Sequence, residues 1–194
     1  MSPFINDRAY LIAHIKTYIS LSDNELAEIV NFFDTCSYNK KATLLSAEKR
    51  CDKLFFVGKG CLHLYFIDGL GNQKTIQFAI ENWWLTDFLA FQSQKQSNFY
   101  IEAVERSDVL SISFSKYQEL LSKFPKMETY FRTIYEIAYG AALMRLKYIN
   151  SFSKEDMFFR FRDDFPEFVK RVPQYLLASF LGLTPEYLSE IKRK

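Results

Sequence analysis

Apolar and polar positions change their period along the chain, and each change marks a boundary. Between residues 7 and 19, Tyr10, Leu11, Ile15, Tyr18 and Ile19 fall near one face of a helix. The stretch "SLSDNELAEIVNFF" starts a second helix, with Ser22 and Glu25 at capping-box spacing. From about Cys36 to Phe114 the pattern becomes short β-type runs: "KLFFVG", "CLHLYFID", "QKTIQFAI", "NFYIEAV" and "DVLSISF". Gly58 and Gly60 separate the first two runs, and Asp68-Gly69-Leu70-Gly71-Asn72 separates the second from the third. No helix intervenes, which favours a closed β-structure, a roll or jelly roll, over a parallel α/β sheet.

Helical spacing returns after Phe114. Ser115 is placed to cap "SKYQELLSKF", and Pro125 to occupy the first turn of a long helix over about residues 125–150. Along that helix Met127, Ile134, Ala141 and Tyr148 repeat at one heptad position, and Tyr130, Ile137 and Met144 at the other. Such a seam covers either a partner helix or the chain's own β domain, and the spacing leaves both readings open. The expected class is α+β, in three parts: N-terminal helices and a β-roll over 1–124, the connecting helix over 125–150, and a small helical domain over 151–194.

Twenty Phe and twelve Tyr among 194 residues make this a globular composition with material for a sizeable core. The net charge of +2 supplies little long-range attraction, so affinity for nucleic acid must come from where charge is placed. The N-terminus carries charged residues through its apolar positions, so no signal peptide is expected. No run approaches the ~18 apolar residues of a membrane span, and a cytoplasmic protein without membrane partners is the expectation. Cys36, Cys51 and Cys61 are an odd set without Cys-x-x-Cys spacing and are read as buried reduced thiols. A cupin-like catalytic roll would need clustered His and carboxylate ligands, and His63 is the one histidine among the β runs. No enzyme activity, metal or cofactor is expected.

The last segment, "RVPQYLLASFLGLTPEYLSEIKRK", carries the chemistry. Counting from Gln174, small Ala178 lets two helices approach, Gly182 can take the positive φ of a tight turn, and Leu177, Leu181, Leu183, Leu188 and Ile191 supply a small core. Thr184 can cap the second helix, Pro185 suits its first turn, and Glu186 sits favourably at its positive end. This reads as a helix-turn-helix, with an ordinary αα-hairpin as the alternative.

A glycine-punctuated roll, a long helix and a helix-turn-helix, in that order, resemble the Crp/Fnr family of transcription regulators. The resemblance runs over nearly the whole chain, from "DKLFFVGKGCLHLYFIDGLGNQKTIQFAIENWWLTDFLAF" through "SNFYIEAVERSDVLSIS" to the C-terminal motif. It implies a cyclic-nucleotide-binding-like sensor roll and a homodimer joined along the long helix, through Met127, Tyr130, Ile134, Ile137, Ala141 and Met144. It also implies a palindromic double-stranded DNA operator as partner. Counting from the capping Thr184, itself within the DNA-binding set, Pro185, Glu186, Ser189 and Glu190 are then the base-reading positions, and Lys170, Arg171, Lys192 and Arg193 the cations near the phosphates.

Departures from the family pattern reshape these expectations. Where cyclic-nucleotide binders carry Gly-Glu and then Arg-Ser or Arg-Thr, this chain is read as Thr86-Asp87 and Asn98-Phe99. An amide cannot replace the charge-assisted contact of a guanidinium with phosphate, so cyclic nucleotide is not expected. Trp83, Trp84, Phe88 and Phe91 either line an apolar pocket for another small-molecule effector or are core. The effector pocket, if formed, would include Trp84, Thr86, Asp87, Phe88, Asn98 and Phe99. Glu190 stands where Arg is common and cannot donate to guanine. The sequence stops at Lys194, short of the β-hairpin wing that many relatives carry. The competing expectation is therefore a small-molecule sensor or protein-interaction module whose helix-turn-helix has decayed.

Overall fold

Local capping chemistry fixes the first elements of the computed structural model, which describes residues 4–193. Helix α1 spans Phe4–Tyr18 and α2 spans Asp23–Ile29. The capping box at Ser22 forms: the Glu25 amide donates to Ser22 Oγ at 3.3 Å and the Ser22 amide donates to Glu25 Oε2 at 2.7 Å. Two amides that a helix start would leave open are thereby satisfied.

The roll follows as β1 (Asp34–Tyr38), β2 (Thr43–Leu45), β3 (Lys53–Lys59), β4 (Leu62–Ile67), β5 (Gln73–Ala79), β6 (Trp84–Leu85), helix α3 (Phe88–Ser93), β7 (Tyr100–Ala103) and β8 (Ser107–Ser113). Two four-stranded sheets result, ordered β1-β8-β3-β6 and β2-β7-β4-β5. Register on β3 and β8 sets Leu54 opposite Ile112 and Phe56 opposite Leu110, pairing apolar residues across the ladder. All five expected runs are strands; β1, β2 and β6 are additional, and too short or too polar to announce themselves.

Gly60 connects β3 to β4 with φ +105°, and a Cβ there would lie 2.3 Å from Ser107 Oγ and 2.6 Å from Ser107 Cα. That closeness is used: the Cys61 amide donates to Ser107 Oγ at 3.1 Å. Cys51 and Cys61 are buried free thiols, as expected, whereas Cys36 is only half-buried.

Helix α4 spans Phe114–Lys123, and its cap is Ser113 rather than the expected Ser115. Strand β8 runs through Ser113, so that residue is the last extended one, and its hydroxyl accepts from the Lys116 amide at 3.4 Å. Helix α5 spans Lys126–Ser151, directly after Pro125.

The heptad seam divides along α5. Met127 and Tyr130 are fully buried and Ile134 nearly so within the chain's own packing, which removes them from the expected dimer contacts. Ile137 and Met144 remain 49% and 45% exposed, and Ala141 is exposed too. The physical reason is aromatic: Tyr130 and Phe131 pack edge-on to Trp84 at 6.4 and 5.4 Å, so the first turns of α5 complete the roll's core.

Contacts group the chain into two units, one up to Leu64 with Phe78–Tyr135, the other Tyr65–Gln77 with Glu136 onward. The second unit holds the rest of α5 and helices α6 (Lys154–Asp164), α7 (Pro166–Arg171), α8 (Gln174–Leu181) and α9 (Pro185–Ile191). Its core gathers Phe158, Leu177, Ala178, Leu181, Leu183, Leu188 and Ile191, five of them at the positions the sequence assigned to packing between the last two helices together with small Ala178. Gly182 ends α8 at φ 68°, with the Leu183 amide donating to Ala178 O at 2.9 Å and the Gly182 amide to Ser179 O at 3.2 Å. These two bonds are a Schellman stop, which requires the left-handed backbone that glycine supplies.

Candidate functional site

The C-terminal helix pair is built from its caps outward. Thr184 is extended, φ −85° and ψ 153°, and its Oγ1 accepts from the Tyr187 amide at 3.2 Å. Pro185 then stands at N1 without losing a bond. Leu188 and Ile191 are fully buried against α8, so the opposite side of α9 must face out. Thr184, Pro185, Glu186, Tyr187, Glu190, Lys192 and Arg193 are all exposed there or at its end. Glu186 and Glu190 are four residues apart and share one side of the helix.

Ser189 departs from the role expected of it. It is half-buried, its hydroxyl donates to Pro185 O at 2.9 Å, and it accepts from Gln174 Nε2. A hydroxyl so engaged braces α9 against α8 and does not reach toward a base. Lys170 and Arg171 lie in the last turn of α7, ahead of the helix pair. Lys170 Nζ is 2.7 Å from Glu167 Oε1 in an exposed pair, which is weak and easily exchanged for a phosphate. Tyr187, 38% exposed on the outer face, was not anticipated from the sequence, which ranked α9 by charge and hydrogen-bonding capacity.

The other candidate is the turn around α3. Asp87 caps this helix, Oδ1 accepting from the Ala90 amide at 3.1 Å. Oδ2 accepts from the Ser97 hydroxyl at 2.8 Å, and Ser97 Oγ in turn accepts from the Phe99 amide at 3.0 Å. Ser97 is 1% exposed whereas Asn98 is exposed, so the residue facing Asp87 stands one position before the Asn98 expected there. The loop from α3 to β7 fixes this register, and sequence spacing could not. Thr86 donates to Lys53 O at 2.8 Å and lies 3.1 Å from Cys51 Sγ, whose thiol pKa burial pushes up. Arg50 reaches the same turn, with Nη2 donating to Gln94 Oε1 at 2.9 Å.

Trp84 belongs to the core and not to a pocket wall. It is 4% exposed, packs at 5.1 Å on Phe56, and donates from Nε1 to Tyr130 Oη at 2.8 Å. Tyr130 Oη lies 2.7 Å from His14 Nδ1. The phenol oxygen thus joins the Trp84 indole and the His14 imidazole in one hydrogen-bonded chain. Phe91 is buried as well, while Phe88 packs edge-on to Tyr135 at 5.0 Å. The residues expected around an effector, Trp84, Thr86, Asp87, Phe88, Asn98 and Phe99, are thus split between core, internal hydrogen bonds and surface.

His63 is fully buried, stacked on Phe78, with Nε2 3.7 Å from Glu102 Oε1. Burial pushes its pKa down to about 4, and the long contact with Glu102 does not reverse this. Among the described residues no three His, Cys, Asp or Glu side chains gather as metal ligands, and no helix is long and apolar enough to cross a membrane.

Residues 35–124 match the family model of the cyclic nucleotide-binding domain. No curated protein matches the chain. Among solved structures, FixK2 of Bradyrhizobium japonicum is similar at 13% identity over 83% of each chain, TM-score 0.69. The c-di-GMP-responsive global regulator CLP of Xanthomonas campestris is similar at 11% identity, over 89% of this chain and 90% of that one, TM-score 0.69. The catabolite activator protein of Thermus thermophilus is similar at 14% identity, over 91% of this chain and 84% of that one, TM-score 0.58. With a roll matching the cyclic nucleotide-binding domain and a long helix after it, the chain has the fold of Crp/Fnr-type regulators.

Proposed function

We propose that this chain is a homodimeric, DNA-binding transcription regulator of Crp/Fnr type whose roll does not take a cyclic nucleotide. The observation that carries the reading is α9: a capped helix, seated through Leu188 and Ile191, with its whole opposite side exposed. A helix presented in this way from a glycine turn fits a major groove. Glu186 suits the amino group of cytosine, and Lys192 and Arg193 suit backbone phosphates.

The dimer reading rests on α5 beyond the roll. Ile137, Ala141, Met144 and Tyr148 continue the heptad as a stripe of exposed apolar residues, and the occupant that fits a heptad stripe is the same helix of a second copy. Against cyclic nucleotide stands the partner of Asp87. Where the binders carry an acid and then an Arg that pairs the phosphate, Asp87 supplies the acid, but the residue facing it is Ser97, whose hydroxyl is spent on that carboxylate and cannot replace a guanidinium. One observation favours the competing reading of a decayed motif: Glu186 and Glu190 make the outer side of α9 acidic. Selection from random duplex DNA separates the two. The regulator reading expects wild type to recover a palindrome and monomeric Ile137→Glu to lose it. Recovery of no motif by wild type, with light scattering unchanged in Ile137→Glu, overturns the reading.

A further inference from the structure

Helix α8 makes an unusual set of bonds within the second unit. The Ser179 hydroxyl donates to Gln73 O at 2.8 Å and accepts from the Thr75 amide at 2.9 Å. Gln73 and Thr75 are two residues apart on β5, the last strand of its sheet, so their backbone groups point the same way along its open edge. A single serine side chain thus supplies one donor and one acceptor, as a neighbouring strand would. At the next residue of each segment the Arg145 guanidinium adds a second clasp: Nη1 donates to Ile76 O and Nη2 donates to Phe180 O at 2.8 Å. The same guanidinium lies 4.3 Å over the Phe180 ring.

These bonds tie three segments: the β4–β5 hairpin, α5 and the first helix of the DNA-binding pair. They go to backbone groups of the hairpin and so fix where that backbone lies, independently of its side chains. Phe180 O is also among the carbonyls left open at the end of α8, so Arg145 stabilises that helix end as a cation at its negative pole. Burial lowers the Arg145 pKa, and the delocalised guanidinium, which proteins do not deprotonate, keeps the clasp cationic. Neither residue belongs to the exposed side of α9, and neither is positioned to touch DNA there.

We infer that Arg145 and Ser179 are positioning residues that clamp α8 to the β4–β5 hairpin, so that the reading helix is held at one orientation in each protomer. The inference rests on the DNA-binding reading for its functional consequence, although the clamp itself does not. A clamp that sets orientation sets the spacing of half-sites in a two-fold operator. It does not set non-specific affinity, which follows the number of phosphates contacted.

The test uses the full chain, as wild type, Ser179→Ala, Arg145→Ala and the milder Arg145→Lys. Hydrogen exchange at the Thr75 amide reads the clamp directly. Its loss should speed exchange about fivefold to tenfold in Ser179→Ala, the worth of one net hydrogen bond, while amides of β3 and β8 keep wild-type rates. Random-DNA selection then reads position: the Arg145 and Ser179 variants should recover half-sites at several spacings where wild type recovers one, with an unchanged salt slope. Unchanged Thr75 exchange in both Ser179→Ala and Arg145→Lys overturns the clamp. Faster exchange with unaltered spacing preference overturns the positioning role. Absence of any DNA motif in wild type defeats the DNA-binding reading instead and leaves the exchange result to decide the clamp.

Discussion

Tyr130→Phe removes one oxygen from the centre of the first unit and leaves two groups without it. The Trp84 indole N–H, in a residue 4% exposed, loses its acceptor at 2.8 Å, and His14 Nδ1 loses its partner at 2.7 Å. The ring itself stays, so packing against Trp84 and Phe131 is preserved and the change isolates the hydroxyl. A buried donor left unpaired costs about 1–3 kcal/mol, and the half-buried His14, which water can reach, adds less than about 1 kcal/mol. The expected loss is roughly 1–4 kcal/mol, or a fall in melting temperature of about 2–16 °C for a chain of this size. Combining Tyr130→Phe with Trp84→Phe should cost less than the two single losses summed, because the orphaned N–H is gone. Denaturant titrations of the three variants measure this. Purely additive losses, or a Tyr130→Phe loss under about 0.5 kcal/mol, would refute the hydrogen-bonded chain as drawn.

Further outcomes follow from other groups. Gly60→Ala should destabilise by about 2 kcal/mol or more in denaturant titration, since it combines a forbidden φ with a Cβ inside van der Waals distance of the Ser107 backbone. His63 has a folded pKa near 4, below its unfolded value, so its neutral form is favoured by folding and stability is complete above about pH 6.5. As pH falls from there toward 4, up to about 3 kcal/mol is lost, and His63→Leu should flatten that part of the profile. Glu102, whose carboxyl is raised by burial, acts in the opposite sense at the acidic end of the window. Calorimetry with cyclic AMP or cyclic GMP should give no heat of binding beyond dilution, and micromolar binding would point to Arg50 as the phosphate partner in place of the absent guanidinium at the Ser97 position.

The sequence disclosed what is local. The Ser22 box, the Thr184 cap, the Gly182 turn and the leucines between α8 and α9 each depend on residues a few positions apart, and each formed where the spacing put it. It was silent or misleading where a partner is distant. The heptad on α5 is continuous from Met127 to Tyr148, yet only the roll's aromatics, far away in sequence, decide that its first half is core. Two serines near the start of α4 have equal capping chemistry, and pairing of β8 chose Ser113. Ser97 displaced Asn98 by one loop residue. Ser179 meets Thr75 across 104 positions, a contact that no periodicity announces.

Glu190→Arg tests whether α9 meets DNA. The change converts a carboxylate on the outer side of the helix to a guanidinium, shifting each protomer by two charge units. If α9 enters the groove of duplex DNA, affinity for the selected site should rise at least about tenfold at low salt. One added phosphate contact per protomer would steepen the log–log salt slope by up to about 1.8 for the dimer. A contact to guanine instead would appear as a new preference worth about 1–3 kcal/mol at one position of each half-site. Equal affinity and equal salt slope for wild type and Glu190→Arg, measured on the same duplex, would mean that α9 does not face DNA.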